Sequence, residues 1–172
     1  MRIFLTGYMG SGKSTFGPRL ARELGLSFYD LDAIIEAQTW MSIKEIFKKK
    51  GEEAFREMEA ESLRQFVLQK DNFVLSCGGG TPCYYQNMEW MKEQGFVIFL
   101  DVTIPELVSR LLPETGDRPL IKKMSPEQLT HFIEDHLDIR TPVYQQANLI
   151  LDASKPEWKK MVEEVSAAIK EA

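Results

Sequence analysis

An eight-residue segment near the start of the chain has the residue types and spacing of a phosphate-binding loop. The segment Gly7-Tyr8-Met9-Gly10-Ser11-Gly12-Lys13-Ser14 matches the pattern G-x-x-x-x-G-K-[ST] at every defined position. Its glycines permit backbone conformations that turn consecutive N–H groups towards an anion. Lys13 can reach the outer phosphates of a nucleotide, and the Ser14 hydroxyl can complete the coordination of Mg²⁺. The residues predicted to hold a nucleotide are therefore Gly10, Ser11, Gly12, Lys13 and Ser14.

Two aspartates stand where the next short apolar segment ends. Asp30 and Asp32 are two residues apart, and this spacing in an extended chain points both carboxylates the same way. Because Mg²⁺ keeps several waters, we expect Asp30 to face the metal through water and Asp32 to face the phosphoryl acceptor. Asp101 ends another apolar segment and is the alternative metal carboxylate, although its position favours a turn or a helix cap before Pro105.

A run of three glycines, Gly78, Gly79 and Gly80, follows a third apolar segment. It removes the side chains where a buried strand would leave the sheet, so that a small molecule could lie against the backbone. In open parallel sheets, ligands bind outside the carboxyl ends of the strands. The phosphate loop, Asp30, Asp32 and the three glycines are therefore predicted to meet at one edge of a sheet.

Three arginines are candidates for binding an anionic substrate, because a guanidinium donates two parallel hydrogen bonds to a carboxylate or phosphate. Arg56 lies early in a long helical pattern, and Arg118 lies in a polar, turn-rich segment suited to a closing lid. Arg140 precedes Pro142, where a helix is expected to end. Taken singly, each arginine is more typical of a solvated surface.

Short apolar runs alternate with helical patterns along most of the chain. The predicted strands are Ile3–Thr6, Ser27–Tyr29, Phe73–Cys77, Phe96–Leu100 and Leu149–Leu151. The predicted helices are Ser14–Leu24, Glu52–Leu68, Pro105–Leu112, Pro126–Ile139 and Pro156–Ile169. This alternation indicates an α/β protein with a five-stranded parallel sheet between two helical layers, a three-layer P-loop fold.

Two segments interrupt the alternation. Residues 32–66 form a long helical excursion, predicted to be an insertion that binds the acceptor. Residues 112–124 are polar and rich in turn-forming residues, and a loop of this kind in a compact domain is usually functional. We expect a single domain over residues 1–172, with the second segment acting as a lid.

The composition excludes several classes of protein. With 21 Lys and Arg against 26 Asp and Glu, the net charge is −5, and no overall attraction for nucleic acid or an anionic membrane is expected. Two cysteines cannot form a disulfide framework. No signal peptide or membrane span is recognisable. These features predict a cytoplasmic protein, and the lack of an exposed heptad or apolar edge predicts a monomer.

Other patterns argue against rival chemistries. The chain lacks the N-K-x-D and T-K-x-D segments that read guanine, and no aspartate begins a D-x-x-G switch, so a regulatory GTPase is disfavoured. His131 and His136 are five residues apart, which is not the spacing of a metal-binding pair on a helix, and structural roles are favoured for both.

Taken together, the motifs resemble those of the shikimate kinase family, within the nucleoside-monophosphate-kinase-like group of P-loop proteins. The resemblance covers residues 2 to about 152 in order and approximate spacing. The matching segments are Gly10-Ser11-Gly12-Lys13-Ser14-Thr15, Asp30-Leu31-Asp32, Ile43-x-x-Ile46-Phe47, Gly51-Glu52-x-x-Phe55-Arg56, Leu75-Ser76-x-Gly78-Gly79-Gly80, Arg118-Pro119-Leu120 and Arg140-x-Pro142-x-Tyr144.

The resemblance implies an ATP-dependent kinase that phosphorylates the 3-hydroxyl of shikimate. Mg²⁺ is expected at Ser14 and Asp30, as the residue pattern above indicates. The residues implied for catalysis are Lys13, Asp32 and Arg118. Those implied for ATP are Gly10, Ser11, Gly12, Lys13, Ser14, Thr15, Arg110 and Arg118. Those implied for shikimate are Asp32, Phe47, Phe55, Arg56, Gly78, Gly79, Gly80 and Arg140. Within this set, Arg56 and Arg140 would hold the carboxylate of shikimate, Arg110 would pack beside adenine, and Arg118 would close over the transferred phosphoryl group.

The chain departs from the family pattern at two places. Val143 stands where leucine is usual, and Lys155 follows Asp152 in a segment where some members carry an arginine near adenine. Two alternative functions stay open. One is another small P-loop kinase acting on a sugar acid such as gluconate or on a nucleoside monophosphate. The other is a nucleotide-binding module without catalysis.

Overall fold

A computed structural model of the protein describes residues 1–114 and 119–171. Five strands form one sheet in the order β2-β3-β1-β4-β5, and every neighbouring pair is parallel. The strands are β1 (Arg2–Thr6), β2 (Ser27–Asp30), β3 (Phe73–Ser76), β4 (Phe96–Asp101) and β5 (Leu149–Asp152). The five predicted strands and the parallel sheet are therefore confirmed.

Seven α-helices lie in the described residues. They are α1 (Lys13–Leu24), α2 (Leu31–Thr39), α3 (Ile43–Gln69), α4 (Asn87–Gln94), α5 (Ile104–Leu111), α6 (Pro126–Tyr144) and α7 (Trp158–Glu171). Short 3₁₀ turns occur at Thr81–Cys83, Leu112–Glu114 and Pro119–Ile121. No helix in these residues is long and apolar enough to cross a membrane.

Two apolar clusters cover the two faces of the sheet, as the three-layer prediction requires. In β1, Ile3 and Leu5 pack into a cluster with α1, α5, α6 and α7, whereas Phe4 packs into a second cluster with α2, α3 and α4. Alternate strand residues point to opposite faces, so both faces of β1 are buried. The edge formed by the carboxyl ends of the strands is thus built on a central strand that is fixed from both sides.

The helical excursion after β2 is present as α2 and α3. Ser42 begins α3 with a capping box, in which its hydroxyl accepts a hydrogen bond from the Glu45 N–H and the Glu45 carboxylate accepts one from the Ser42 N–H. Gly51 breaks this helix with a φ of 83°, a backbone conformation that favours glycine. The sequence pattern predicted only the part after Gly51 as a distinct helix.

The end of α6 differs from the prediction, which placed it before Pro142. The helix continues to Tyr144, and the N–H of Gln145 still donates to the carbonyl of Thr141. Pro142 lies in the last turn, where its missing N–H removes one hydrogen bond of the helix and breaks no later turn. The fully buried Tyr144 side chain, stacked on Phe99, holds this turn in place.

The predicted lid is described only in part. Two short 3₁₀ turns flank residues 115–118, and Arg118 lies outside the described residues. On the described side, Ile121 is fully buried in the cluster that contains α5 and α6.

Gly17 determines how closely α1 approaches the sheet. A Cβ atom at this position would lie 2.8 Å from Cδ2 of Phe28 and nearer still to Cε2, which is closer than real side chains pack. The contact brings α1 against β2, and the phosphate loop leads directly into α1.

We predict that Gly17→Ala lowers the free energy of unfolding by about 1–3 kcal/mol, because overpacking outweighs the better helix propensity of alanine. Urea denaturation at neutral pH measures the effect. Adding Phe28→Leu is expected to restore part of the loss, because it removes the ring that the new methyl group would meet. An alanine variant as stable as the parent protein would contradict this account of the close packing.

Candidate active site

The phosphate loop joins the end of β1 to the start of α1. Gly10 and Gly12 have φ values of 79° and 95°, as the glycine pattern predicted. The Lys13 Nζ donates to the carbonyl oxygens of Gly7 at 2.7 Å and Tyr8 at 2.9 Å, so the side chain folds back along the loop. Since Lys13 is the first residue of α1, the amino end of this helix faces the same space, where an anion is stabilised.

A cleft of about 560 Å³ opens above the carboxyl edge of the sheet. The predicted residues that line it are Gly10, Gly12, Lys13, Ser14, Thr15, Asp30, Asp32, Gly78, Gly79 and Arg110. Ser11 is buried in the loop below, where its Oγ accepts a hydrogen bond from Lys13. Asp101, the alternative metal carboxylate, instead lines a separate cavity with Asp152.

The two aspartates do not share an extended chain, which corrects the reasoning from their two-residue spacing. Asp30 is the N-cap of α2, where its carboxylate accepts a hydrogen bond from the Ala33 N–H at 3.2 Å. Asp32 lies in the first turn of α2. Both carboxylates still reach the cleft, because α2 begins at Leu31, the residue that follows the end of β2.

Asp32 has an unusual protonation equilibrium. Burial, together with the neighbouring carboxylates of Asp30 and Glu59, raises the pKa of its carboxyl group to about 6, against the opposing charge of Lys13. A carboxyl group with a pKa near neutrality can exchange a proton at physiological pH, which is the property required of a general base.

Polar and charged side chains lie close to each of the three consecutive glycines. A Cβ at Gly78 would lie 2.9 Å from Oε1 of Glu59 and 3.4 Å from Oδ1 of Asp32, and one at Gly79 would lie 3.5 Å from Nη1 of Arg140. A Cβ at Gly80 would lie 2.6 Å from Cζ of Arg56. The backbone of this loop therefore forms the floor on which an acidic group and two arginines meet.

Arg56 is held in one orientation by charge and by aromatic rings. Its guanidinium donates to Glu59 at 3.1 Å and to Glu52 at 3.2 Å, and it lies 4.6 Å from the ring centroid of Tyr84. Arg56 is only 8% exposed and Glu59 is fully buried. The Phe47 and Phe55 rings, 4.5 Å apart, form an apolar wall beside the guanidinium.

Arg110 connects two parts of the cleft. Its guanidinium donates to the carbonyl of Gly10 at 3.2 Å and to those of Ala153 and Ser154 at 2.8 and 2.9 Å, while Glu106 pairs with its Nε at 2.9 Å. These bonds tie the phosphate loop to the segment after β5, which is where the resemblance placed the adenine contact.

Comparison with known proteins gives one consistent result. The sequence profile of the shikimate kinase family matches residues 9–170. A shikimate kinase from Parabacteroides distasonis is 42% identical over 168 residues, covering 98% of this chain and 96% of the relative. One from Bacteroides fragilis strain ATCC 25285 is 44% identical over 163 residues, covering 95% and 90%. The chain belongs to the shikimate kinase family.

Solved structures agree. A crystal structure of shikimate kinase from Bacteroides thetaiotaomicron has a TM-score of 0.92 and 38% identity, covering 99% of this chain and 98% of that one. The Acinetobacter baumannii shikimate kinase in complex with shikimate has a TM-score of 0.86 and 32% identity, covering 99% and 93%. Both structures match this chain over nearly its whole length, so the three-layer fold is the fold of the family.

The sequence analysis did not identify several residues that lie at this site. Glu59 follows Arg56 by three residues on a helix, and that spacing is a signal for a salt bridge that could have been used. Pro156 and Trp158 line the cleft, and the Trp158 ring stacks on Phe16 at 5.8 Å. No sequence pattern distinguishes Trp158 from an ordinary packing residue.

We predict that Asp32→Asn stabilises the protein at pH 8 and has little effect near pH 4. The folded state raises the pKa of Asp32 from 3.8 to about 6, so ionising this group costs stability above pH 6, and the cost disappears as pH falls and the carboxyl group protonates. The expected gain in the free energy of unfolding at pH 8 is about 1–3 kcal/mol.

Urea denaturation at both pH values measures this difference. Asp135→Asn is the matched control, because Asp135 is exposed on α6 and its substitution is expected to change the free energy of unfolding by less than about 0.5 kcal/mol at either pH. A stabilisation by Asp32→Asn that is equal at pH 8 and pH 4 would show that the charge of Asp32 is not its cause.

Proposed function

We propose that this protein transfers the γ-phosphoryl group of ATP to the 3-hydroxyl of shikimate, producing shikimate 3-phosphate for the synthesis of chorismate and aromatic amino acids. The observation that carries the proposal is the row of three glycines beside the phosphate loop, facing Asp32, Arg140 and Arg56 in turn. A small acid with a ring of hydroxyl groups matches this arrangement of one carboxylate and two guanidinium groups. Family membership supports the same substrate.

Two arginines are proposed to bind the carboxylate of shikimate. Arg56 is fixed beside Gly80 by Glu52 and Glu59, and Arg140 approaches Gly79 from the other side of the loop. A guanidinium that is already oriented loses little freedom on binding, so the N–H groups of Arg56 that do not donate to Glu52 or Glu59 can bind a carboxylate at low entropic cost. The apolar wall of Phe47 and Phe55 would pack against the ring, and Gly78, Gly79 and Gly80 would lie beneath it.

Asp32 is proposed to orient the hydroxyl group that attacks the phosphorus atom. Its raised pKa suits it to accept the proton of this hydroxyl as the bond to phosphorus forms. Phosphoryl transfer requires alignment and charge neutralisation more than covalent help from the protein. Positioning of the hydroxyl is therefore the larger part of the role proposed for Asp32.

The phosphate groups of ATP are proposed to lie against residues 10–15. Lys13 would exchange its contacts with the loop carbonyls for contacts with the outer phosphates, and Arg118 would neutralise charge on the transferred group. Oxygen donors from Ser14 and, through water, Asp30 reach the cleft and suit Mg²⁺, which uses few protein ligands. When bound, Mg²⁺ neutralises phosphate charge. The adenine is proposed to pack against Arg110.

The remaining properties follow from this reaction. Closure of residues 112–124 over the cleft would exclude water and limit the hydrolysis of ATP. We infer that the protein acts as a monomeric domain in the cytoplasm, where ATP is supplied, with ATP and shikimate as its partners and without nucleic acid or membrane.

We predict ADP release with shikimate, ATP and Mg²⁺, at a rate at least about 100-fold above that with gluconate, AMP or no acceptor. A coupled ADP-release assay measures all four conditions, and omission of Mg²⁺ is the control for metal dependence. Faster turnover with gluconate or AMP would identify a different small P-loop kinase. Nucleotide binding without turnover in any condition would identify a binding module.

We predict that Asp32→Asn lowers turnover of shikimate by about 100- to 10,000-fold and leaves the affinity for ATP nearly unchanged. In the parent protein, kcat/KM is expected to fall below pH 6, where protonation of Asp32 removes the acceptor of the proton. Steady-state kinetics and titration calorimetry with ADP measure these quantities. Near-normal turnover in Asp32→Asn would rule out the role assigned to this carboxylate.

A further inference from the structure

Tyr8 connects the phosphate loop to a helix on the acceptor side. The residue belongs to the loop, because its carbonyl oxygen accepts hydrogen bonds from the Lys13 Nζ at 2.9 Å and the Ser11 N–H at 3.1 Å. Its side chain is only 2% exposed and does not line the cleft. A hydrogen bond of 2.8 Å joins its hydroxyl to Nδ1 of His136 on α6.

His136 and Arg140 are one turn apart on α6, and both contact the Tyr8 ring. The Cζ atom of Arg140 lies 5.7 Å from the centroid of the ring, within the range of a cation–π interaction. The Phe132 ring packs on the other side of His136, with centroids 4.3 Å apart. The Tyr8 side chain is thus held at its hydroxyl by His136, while its ring supports Arg140.

The charges of the groups favour a neutral hydrogen bond at this position. Burial raises the pKa of Tyr8 to about 12 against the opposing effect of Arg140, so the hydroxyl keeps its proton. Partial burial and the charge of Arg140 lower the pKa of His136, so its imidazole is neutral at pH 7. The hydrogen bond between the Tyr8 hydroxyl and Nδ1 of His136 therefore joins two neutral groups, and no positive charge is added beside Arg140.

We propose that His136 is a positioning residue, which through Tyr8 holds Arg140 in the orientation that binds the carboxylate of the acceptor. The geometry supports this role, because Nη1 of Arg140 reaches to 3.5 Å from a Cβ position at Gly79, directly beside the acceptor floor. The inference rests on the proposed function. It adds a physical connection from the phosphate loop to the group that recognises the acceptor.

The test uses three variants of the full chain with shikimate as acceptor. His136→Leu removes the hydrogen bond, Tyr8→Phe removes only the hydroxyl, and His136→Asn keeps a polar group near the position of Nδ1. We expect the KM for shikimate to rise about 3- to 10-fold in His136→Leu and Tyr8→Phe, which is the effect of losing one hydrogen bond. In His136→Asn, the rise is expected to be at most half as large. The kcat is expected to change by less than about twofold.

The matched control is His131→Leu. His131 lies on the same helix, and its side chain is 80% exposed. It is expected to leave the KM for shikimate at the parent value. A rise in KM for His131→Leu equal to that for His136→Leu would assign the effect to a general loosening of α6 and overturn the proposal.

An acceptor analogue separates positioning from packing. In a shikimate analogue with a hydroxymethyl group in place of the carboxylate, Arg140 has no anion to bind, so the parent protein and His136→Leu are expected to give the same KM. An equal penalty for both acceptors would overturn the proposal, as would an unchanged KM for shikimate in both His136→Leu and Tyr8→Phe. Failure of the parent protein to phosphorylate shikimate would instead refute the proposed function.

Discussion

The absence of side chains at Gly78, Gly79 and Gly80 is the constraint on which the rest of the site depends. The side chains of Asp32, Arg140 and Arg56 lie close to this stretch of backbone, and the guanidinium of Arg56 is so near that a Cβ at Gly80 would displace it. The close approach buries charged groups, which is tolerated only where they are paired. Arg56 meets this requirement with Glu59, whose second oxygen accepts the Thr81 hydroxyl at 2.6 Å.

Burial raises the pKa of two neighbouring carboxyl groups, Glu59 and Asp32, but their partners differ. Glu59 has a guanidinium and a hydroxyl as partners, so its charge is balanced although burial raises its pKa. Asp32 has the carboxylates of Asp30, Glu59 and Glu36 near it, and the charge of Lys13 opposes them. The acids around Arg56 therefore orient this cation at the edge of the sheet while compensating part of its charge. Counting positive residues overstates the local charge, since Arg56 is largely compensated before any substrate arrives.

The sequence predicts the features of this molecule that depend on neighbours along the chain. Strand positions follow from short apolar runs, and the phosphate loop follows from glycine spacing between a strand and a helix. The features it does not predict depend on tertiary contacts. The orientation of Asp32 required knowing that α2 begins at Leu31, and the end of α6 required knowing that Tyr144 is buried. The expectation that a helix ends before proline reflects a local backbone preference, which the burial of the Tyr144 ring outweighs.

The path of α6 explains why this buried tyrosine is important for the site. Leu129 and Ile133, in the first half of the helix, pack into the cluster that contains α1, whereas Val143 at its end packs against the cluster on the opposite face of the sheet. The helix therefore crosses the carboxyl edge, and the Tyr144 hydroxyl donates to the carbonyl of Gly79 where it does so. Arg140 lies on this crossing, one turn before the anchor. Arg56 comes from α3 on the far face, so a ligand held by both arginines joins the two helical layers across the edge of the sheet.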